Sequence, residues 1–282
     1  MTISALKNHF IKELSGIYSI TERQELFSIF GEEIFGFTKF QLKKNAEKLL
    51  LEDDIEQWNL TIEKLKTGQP YQQIIGNTEF FGLKFFVNEH VLIPRPETEE
   101  LLEIAINKLR DSGFELLNFK IVDIGTGSGI IPITLKKHFP NAEISAIDIS
   151  EKALEIAKKN ADFHQVEINF IKADYLQTEL TENYDVIISN PPYIAKDEET
   201  EIANSVKDFE PNIALFSPTK NALIFYEKIA QDCTKFLNEN GFYFLEINQK
   251  LGKETLNLFK KFSEKELLQD LSGNDRFVVG RK

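Results

Sequence analysis

The chain has 282 residues, of which 33 are basic and 45 acidic, so its formal net charge is −12 and direct binding of nucleic-acid phosphates is not expected. Cys233 is the single cysteine, which excludes an intramolecular disulfide bond, and the four scattered histidines do not predict a metal site. No apolar run is long enough to cross a bilayer and residues 1–14 lack the apolar stretch of a signal peptide, so we expect a soluble, cytoplasmic protein without membrane contact.

The first predicted elements are helices in residues 1–76, where apolar side chains recur at helical spacing. The spacing is carried by Leu26, Ile29 and Phe30, then Leu49 and Leu50, then Ile55, Trp58, Ile62 and Leu65. A Gly-Gln-Pro sequence at residues 68–70 ends the last of these helices. The pattern predicts a small helical N-terminal domain.

A β-hairpin that turns at Gly82 is predicted next, within a linker of residues 77–96. Pro96 then stands at the first position of a helix whose first turn is rich in glutamate, a strong helix start that complements the helix dipole. The remaining residues, 97–282, form the second predicted domain.

Strands and helices alternate from Lys120 onward, which predicts an α/β domain with a mainly parallel sheet and helices on both faces. The last two strands are separated by a turn at residues 272–274 and form a hairpin, so we expect a seven-stranded sheet with one antiparallel strand. The predicted strands are residues 120–124, 142–148, 167–172, 184–189, 241–247, 266–270 and 276–281.

A glycine-rich segment follows the first strand of this domain and precedes a helix; we call residues 125–129 the glycine loop. This order is typical of nucleotide-binding crossovers, in which missing Cβ atoms let a ligand approach the backbone. The third glycine stands at position 129 and not at 130, which disfavours NAD or FAD. No Gly-Lys-Ser/Thr sequence follows, which excludes a Walker phosphate loop.

Acidic residues end or follow the next two strands. Asp148 can accept hydrogen bonds from both hydroxyls of a ribose, and its alternative role is to cap the following helix, which Ser150 can also do. Asp174 can accept from an adenine amino group with Tyr175 beside the ring, although aspartate after a strand is also common in turns.

The sequence Asn190-Pro191-Pro192-Tyr193, which we call the shelf, follows a β-branched strand. Each proline lacks an N–H and restricts the residue before it. The Asn190 side-chain oxygen and the Pro191 carbonyl can accept the two hydrogens of one planar NH2 group, with Tyr193 against its flat face. The alternative is that Asn-Pro and Pro-Pro only mark an ordinary loop, in which such dipeptides are common. The glycine loop upstream favours the first interpretation, because the carboxyl ends of parallel strands meet at one edge.

The segment from Asp123 to Gly129, Asp148 and the shelf resemble the signature of Rossmann-like S-adenosylmethionine-dependent methyltransferases. Residues 91–99, 209–215, 245–249 and 274–276 are similar to those of the peptide chain release factor glutamine methyltransferases, and this resemblance covers nearly the whole chain. Departures from the family pattern are Asn212 in place of Arg, residues 216–221 in place of a glycine-containing loop, and Asn248 in place of Gly.

The resemblance implies a Rossmann-like seven-stranded sheet and S-adenosylmethionine as cofactor, with S-adenosylhomocysteine as product and no metal. It implies a partner, the peptide chain release factor, whose Gly-Gly-Gln glutamine is methylated on its side-chain nitrogen and which residues 1–76 help to engage. Catalytic and substrate-binding roles then fall to Asn190, Pro191, Pro192 and Tyr193. Cofactor binding falls to Asp123, Gly125, Thr126, Gly127, Ser128, Gly129, Asp148, Asp174, Tyr175 and Asn190. A nucleic acid adenine or guanine N-methyltransferase and a non-catalytic S-adenosylmethionine-binding module remain alternatives.

Overall fold

The hydrophobic period changes along the chain, from helical spacing in the first quarter to alternating strands and helices beyond it. A computed structural model describes residues 1–195, 198, 200 and 203–282. These residues divide into two units. The first is Met1–Asn77 together with Ala203–Phe209, and the second is the remainder.

The elements of the described residues are numbered in chain order. The helices are α1 (Ile3–Glu13), α2 (Ile20–Phe35), α3 (Lys39–Lys44), α4 (Glu52–Lys66), α5 (Tyr71–Ile75), α6 (Pro96–Asp111), α7 (Ile130–His138), α8 (Glu151–His164), α9 (Asn204–Phe209), α10 (Asn212–Leu215), α11 (Ile224–Phe236) and α12 (Gly252–Leu258). The strands are β1 (Asn77–Phe80), β2 (Leu83–Phe86), β3 (Lys120–Ile124), β4 (Glu143–Asp148), β5 (Asn169–Lys172), β6 (Tyr184–Ser189), β7 (Leu237–Glu246), β8 (Glu264–Gln269) and β9 (Asp275–Arg281). Short 3₁₀ turns occupy Phe114–Leu116 and Gln249–Leu251.

The first unit is helical, as predicted, and its core surrounds Trp58 of α4. This side chain is fully buried and contacts Phe10 of α1 and Phe27 of α2, with ring centroids 5.4 and 4.9 Å away. Helix α9 belongs to the same unit, where the Gln73 side chain donates a hydrogen bond to the Phe209 carbonyl at 2.8 Å.

The helical interpretation of Leu49 and Leu50 was wrong. Helix α3 ends at Lys44, and the side-chain amide of its cap residue Asn45 donates back to the Gln41 carbonyl at 2.9 Å. Residues 45–47 form a turn, and Leu49 then pairs with Thr2 in an isolated β-bridge. Two adjacent leucines carry no helical period by themselves, so a short extended segment satisfies the same pattern.

The second unit contains a sheet of seven strands among the described residues, in the order β5-β4-β3-β6-β7-β9-β8; we call it the main sheet. Strands β5, β4, β3, β6 and β7 are parallel, whereas β9 is antiparallel to both β7 and β8. The turn before β9 forms because Asp270 accepts the N–H groups of Ser272 and Asn274, and Gly273 adopts a φ of +83°. The prediction of a seven-stranded sheet with one antiparallel strand is confirmed.

Both faces of the main sheet are covered because its central strands are apolar on both sides. In β3, Ile121 packs into a core with α6, α7 and the β1-β2 hairpin. Its neighbour Val122 packs into a second core with α11 and with Phe259 after α12. Helices on both faces leave the carboxyl ends of the parallel strands as the open edge.

Asn160 of α8 is a fully buried side chain that fixes this edge. Its Oδ1 accepts the Phe86 N–H at 2.7 Å, and its Nδ2 donates to the carbonyls of Phe86 and Ser128 at 3.0 and 2.8 Å. One amide therefore ties strand β2 and the glycine loop to α8.

We predict that Asn160→Ala lowers the free energy of unfolding by about 2 kcal/mol, since it leaves buried backbone groups unpaired. Denaturant unfolding followed by circular dichroism measures this loss. The matched control is Asn118→Ala, because Asn118 is exposed. Equal stability of the two variants would contradict the role given to Asn160.

Candidate active site

The carboxyl ends of β3, β4, β5 and β6 open into one cavity of about 690 Å³. Parallel pairing brings these ends to the same edge of the main sheet, so residues far apart in sequence share the cavity wall. The predicted site residues that line it are Gly125, Gly127, Asp148, Asp174, Tyr175, Asn190, Pro191 and Pro192. The predicted residues Asp123, Thr126, Ser128, Gly129 and Tyr193 lie outside this lining.

The glycine loop is held in a conformation that ordinary side chains disfavour. Gly127 has a φ of +55°, and its N–H donates to Asp148 Oδ2 at 2.8 Å. Gly129 has a φ of +81°, and a Cβ there would lie 3.1 Å from the Cβ of Ala157. The loop therefore needs glycine both for its backbone conformation and for its close approach to α8.

The predicted loop residues outside the lining shape the loop. The N–H of Thr126 donates to the Ile147 carbonyl at 3.1 Å, and the N–H of Gly129 donates to the Thr126 carbonyl at 2.9 Å. The Ser128 carbonyl is the acceptor of the Asn160 bond. Direct cofactor contact by these residues stays a prediction.

Asp148 ends β4 with both carboxylate oxygens turned to backbone N–H groups. Oδ2 accepts from Gly127 and Oδ1 accepts from Ser150, each at 2.8 Å. The cap of α8 is Ser150 itself, whose hydroxyl accepts the Ala153 N–H at 3.2 Å. Asp148 is therefore fixed as an acceptor on the cavity wall, and burial raises the pKa of its carboxyl.

Asp123 lies beneath the glycine loop and is fully buried. Neither of its oxygens has a hydrogen-bond partner of good geometry in the part of the chain that the structure describes. Burial raises the pKa of this carboxyl to about 7, against an opposing effect of the nearby Thr126 hydroxyl and with a further rise from the charge of Asp148. The site thus contains a buried carboxyl that a neighbouring positive charge would stabilise.

Asp174 and Tyr175 follow β5 and have different surroundings. Asp174 is exposed, and its Oδ1 accepts the Leu176 N–H at 3.1 Å, as in an Asx turn. Tyr175 is buried, and its hydroxyl donates to Asp232 at 2.7 Å. Burial and the charge of Asp232 raise the pKa of this phenol, so it remains protonated. Both residues line the cavity, and their contact with an adenine stays a prediction.

The side chains of the first and last residues of the shelf, Asn190 and Tyr193, are held by hydrogen bonds. Asn190 Nδ2 donates to the Thr98 hydroxyl at 3.0 Å, and Thr98 donates in turn to Glu246 Oε2 at 2.7 Å. The Tyr193 hydroxyl donates to the other oxygen, Oε1, at 3.2 Å. The Tyr193 ring therefore stands outside the cavity lining, and its contact with a substrate NH2 group stays a prediction.

Sequence reasoning did not single out Thr98 and Glu246. Both lie in segments that carry the family resemblance, residues 91–99 and 245–249, but nothing in the sequence connects positions 148 residues apart. Asn248, one of the departures, donates to the Tyr193 carbonyl at 3.2 Å and to Glu198 at 2.8 Å. Asn248 therefore holds the last residue of the shelf, Tyr193, in place.

Glu210 joins two further segments beside the cavity. Its buried carboxylate accepts the Ile93 N–H at 2.9 Å and an Arg95 guanidinium N–H at 2.5 Å. The departures Asn212 and residues 216–219 also line the cavity. Residues that differ from the family pattern thus form part of the cavity wall.

Three other kinds of functional feature bear on the described residues: a metal site, a reactive cysteine and a membrane-spanning helix. They hold no group of three or more His, Cys, Asp or Glu side chains placed to bind a metal ion. Cys233 on α11 is fully buried and burial raises the pKa of its thiol, as is typical of a cysteine packed in a core. None of the helices in this part of the chain is both apolar and long enough to span a membrane.

Residues 103–208 match the methyltransferase small domain family. A release factor glutamine methyltransferase of Flavobacterium psychrophilum is 44% identical over 282 residues, covering 99% of this chain and 98% of that protein. The chain belongs to the release factor glutamine methyltransferases. The Streptococcus pneumoniae member of this family is 39% identical and covers 89% of the chain and 85% of its own length.

Membership in the release factor glutamine methyltransferases confirms the resemblance read from the sequence. A solved methyltransferase structure from Pyrococcus furiosus supports the fold at a TM-score of 0.53 and 19% identity, covering 79% of this chain and 98% of that one. This structural similarity agrees with the Rossmann-like main sheet described above.

We predict that Asp123→Asn raises the free energy of unfolding at pH 8 by on the order of 1–2 kcal/mol. Because folding raises the carboxyl pKa from 3.8 to about 7, the contribution of Asp123 to the stability of the wild-type protein falls as pH rises through that window. The variant should lose less stability over the same window. Urea unfolding at several pH values measures the difference, with Asp111→Asn, an exposed position, as control. A parallel pH dependence in wild type and Asp123→Asn would contradict this assignment.

Proposed function

We propose that this protein transfers a methyl group from S-adenosylmethionine to the side-chain nitrogen of the glutamine in the Gly-Gly-Gln motif of peptide chain release factors. The observation that carries the proposal is the orientation of Asn190. Its NH2 group is bound to Thr98, which leaves its side-chain oxygen as an acceptor on the cavity wall. An acceptor at this point suits the planar NH2 group of a carboxamide.

The lining residues and charge of the cavity support S-adenosylmethionine as its ligand. Its wall includes Gly125 and Gly127 of the glycine loop, which present backbone without side chains, and also Asp148 and Asp174. Each Asp148 oxygen accepts one backbone N–H and keeps a second lone pair for a ribose hydroxyl. S-adenosylmethionine, when bound, supplies a methyl group on a positively charged sulfur.

The charge of the wall also favours this cofactor over nucleic-acid phosphate. The described residues that line the cavity include no lysine or arginine. Asp123 adds a buried carboxyl beneath the glycine loop. A cationic ligand would offset the cost of ionising the buried carboxyls of Asp123 and Asp148, whose pKa values burial raises.

The shelf can activate an amide nitrogen, whose lone pair is delocalised into its carbonyl. Asn190 Oδ1 and the Pro191 carbonyl would accept both N–H groups and so stabilise positive charge that develops on this nitrogen. This effect accelerates the reaction only to the extent that it is stronger in the transition state than in the ground state. The two prolines hold these acceptors in one geometry, and good positioning is worth roughly 7–11 kcal/mol in favourable cases.

The helical unit of residues 1–76 is assigned here to contact with the protein substrate, on the family resemblance. The proposed substrate also implies a cytoplasmic protein, since release factors act in translation termination. Tyr193 is assigned to the substrate side of the shelf, with its hydroxyl anchored by Glu246.

We predict that Asn190→Ala lowers methyl transfer to a release factor about 100-fold or more, because one of the two charge-stabilising acceptors is lost. The affinity for S-adenosylmethionine should change by less than about threefold, since the glycine loop and Asp148 are untouched. The assay uses labelled S-adenosylmethionine, with mass spectrometry to locate the methyl, and Asn118→Ala as control. A methyl on the Gly-Gly-Gln glutamine, lost in Asn190→Ala, supports the proposal.

Duplex DNA offered in parallel tests the nucleic-acid alternative. Label in DNA and none in the release factor would overturn the substrate while leaving the methyltransferase assignment in place. Tight binding of S-adenosylmethionine with no transfer to either would favour the binding module.

A further inference from the structure

The hydrogen bonds behind the shelf form a chain from Asn190 through Thr98 to Glu246. Thr98 stands in the first turn of α6 and Glu246 is the last residue of β7, and both side chains are buried. In this series of hydrogen bonds, Asn190 Nδ2 donates to Thr98 Oγ1 at 3.0 Å, and Thr98 Oγ1 donates to Glu246 Oε2 at 2.7 Å. It lies outside the cavity lining except for Asn190 itself.

The direction of these bonds follows from counting hydrogens. An ionised carboxylate can only accept, so the Thr98 hydroxyl must give its single hydrogen to Glu246. Thr98 can then only accept from its other neighbour, which requires the NH2 group of Asn190. The opposite orientation would place the Asn190 oxygen against an oxygen lone pair with no hydrogen between them. Glu246 thus decides which end of the Asn190 amide faces the cavity.

We propose that Thr98 and Glu246 are positioning residues that orient the Asn190 amide, so that its oxygen and not its NH2 group faces the substrate nitrogen. The inference rests on the proposed function, because that orientation matters only for a substrate that donates hydrogens. It assigns a role to two segments, residues 91–99 and 245–249, that carry the family resemblance.

The surroundings of Glu246 make this orientation sensitive to pH. Burial raises the pKa of its carboxyl to about 7, while Arg276 on β9 lowers it and Glu97 on α6 raises it. Tyr193 and Tyr226 also face it, the first donating to its Oε1 and the second to its backbone carbonyl. A protonated Glu246 can donate to Thr98, which frees the Thr98 hydroxyl to donate to the Asn190 oxygen. At acidic pH, Glu246 therefore no longer fixes the orientation of the Asn190 amide.

The first test compares Thr98→Val with Thr98→Ser. Valine keeps the shape and removes the hydroxyl, so kcat should fall about 10- to 100-fold while the KM for S-adenosylmethionine changes by less than about threefold. Serine should recover most of the loss. The matched control is Thr255→Val, a fully buried threonine whose hydroxyl has no partner among the described residues. Thr98→Val as active as Thr255→Val would overturn the proposal.

The second test needs no substrate and uses the whole chain labelled with ¹⁵N-asparagine. The side-chain NH2 signal of Asn190 is identified by its absence from Asn190→Ala. It should shift in Thr98→Val, and its change between pH 6 and pH 8 should disappear in Glu246→Gln. The same titration in wild type and Glu246→Gln would overturn the proposal, whether or not the variant is less stable.

The two tests separate this inference from the proposed function. If the wild-type protein methylates no release factor but the Asn190 signal depends on Thr98 and Glu246, the function fails and the orienting chain stands. If release factor is methylated equally by wild type and Thr98→Val, the function stands and the orienting role fails.

Discussion

The register of the central parallel strands is the constraint on which the site depends. Ile124 of β3 pairs with Ile147 of β4 and with Ser189 of β6. The next residue along each strand is then Gly125, Asp148 or Asn190, so the glycine loop, the candidate ribose ligand and the shelf begin at one level. A slip of one residue would exchange the faces of a whole strand and separate these groups. The apolar cores on both faces of the main sheet oppose such a slip.

Two buried carboxyls that lie outside the cavity lining, Asp123 and Glu246, have pKa values near neutral pH. Burial raises the pKa values of Asp123 and Glu246 to about 7. Asp123 has no hydrogen-bond partner of good geometry among the described residues, whereas Glu246 accepts hydrogen bonds from Thr98 and Tyr193. Strongly shifted groups of this kind cluster at functional sites. A cationic ligand would offset the cost of ionising Asp123. Glu246, in turn, is the group that orients the Asn190 amide.

Much of this arrangement could be read from the sequence, because its local signals are strong. The bounds predicted for β3 and β6 match the structure, since both are β-branched runs stopped by a glycine turn or by Asn-Pro. The antiparallel strand followed from the turn at residues 272–274. The orienting chain could not be predicted, because Thr98 and Glu246 meet only when α6 packs against the end of β7. Asn248 looked like a departure from a family glycine, and its bond to the shelf depends on the same tertiary packing.

The most direct test of the account is a crystal structure of the protein with S-adenosylhomocysteine and a release factor domain that carries the Gly-Gly-Gln loop. The account predicts that the glutamine side-chain nitrogen lies about 3 Å from both Asn190 Oδ1 and the Pro191 carbonyl, with Asn190 Nδ2 still bound to Thr98. A glutamine whose carbonyl oxygen meets the Asn190 NH2 group, or whose side chain stays outside the cavity, would contradict it.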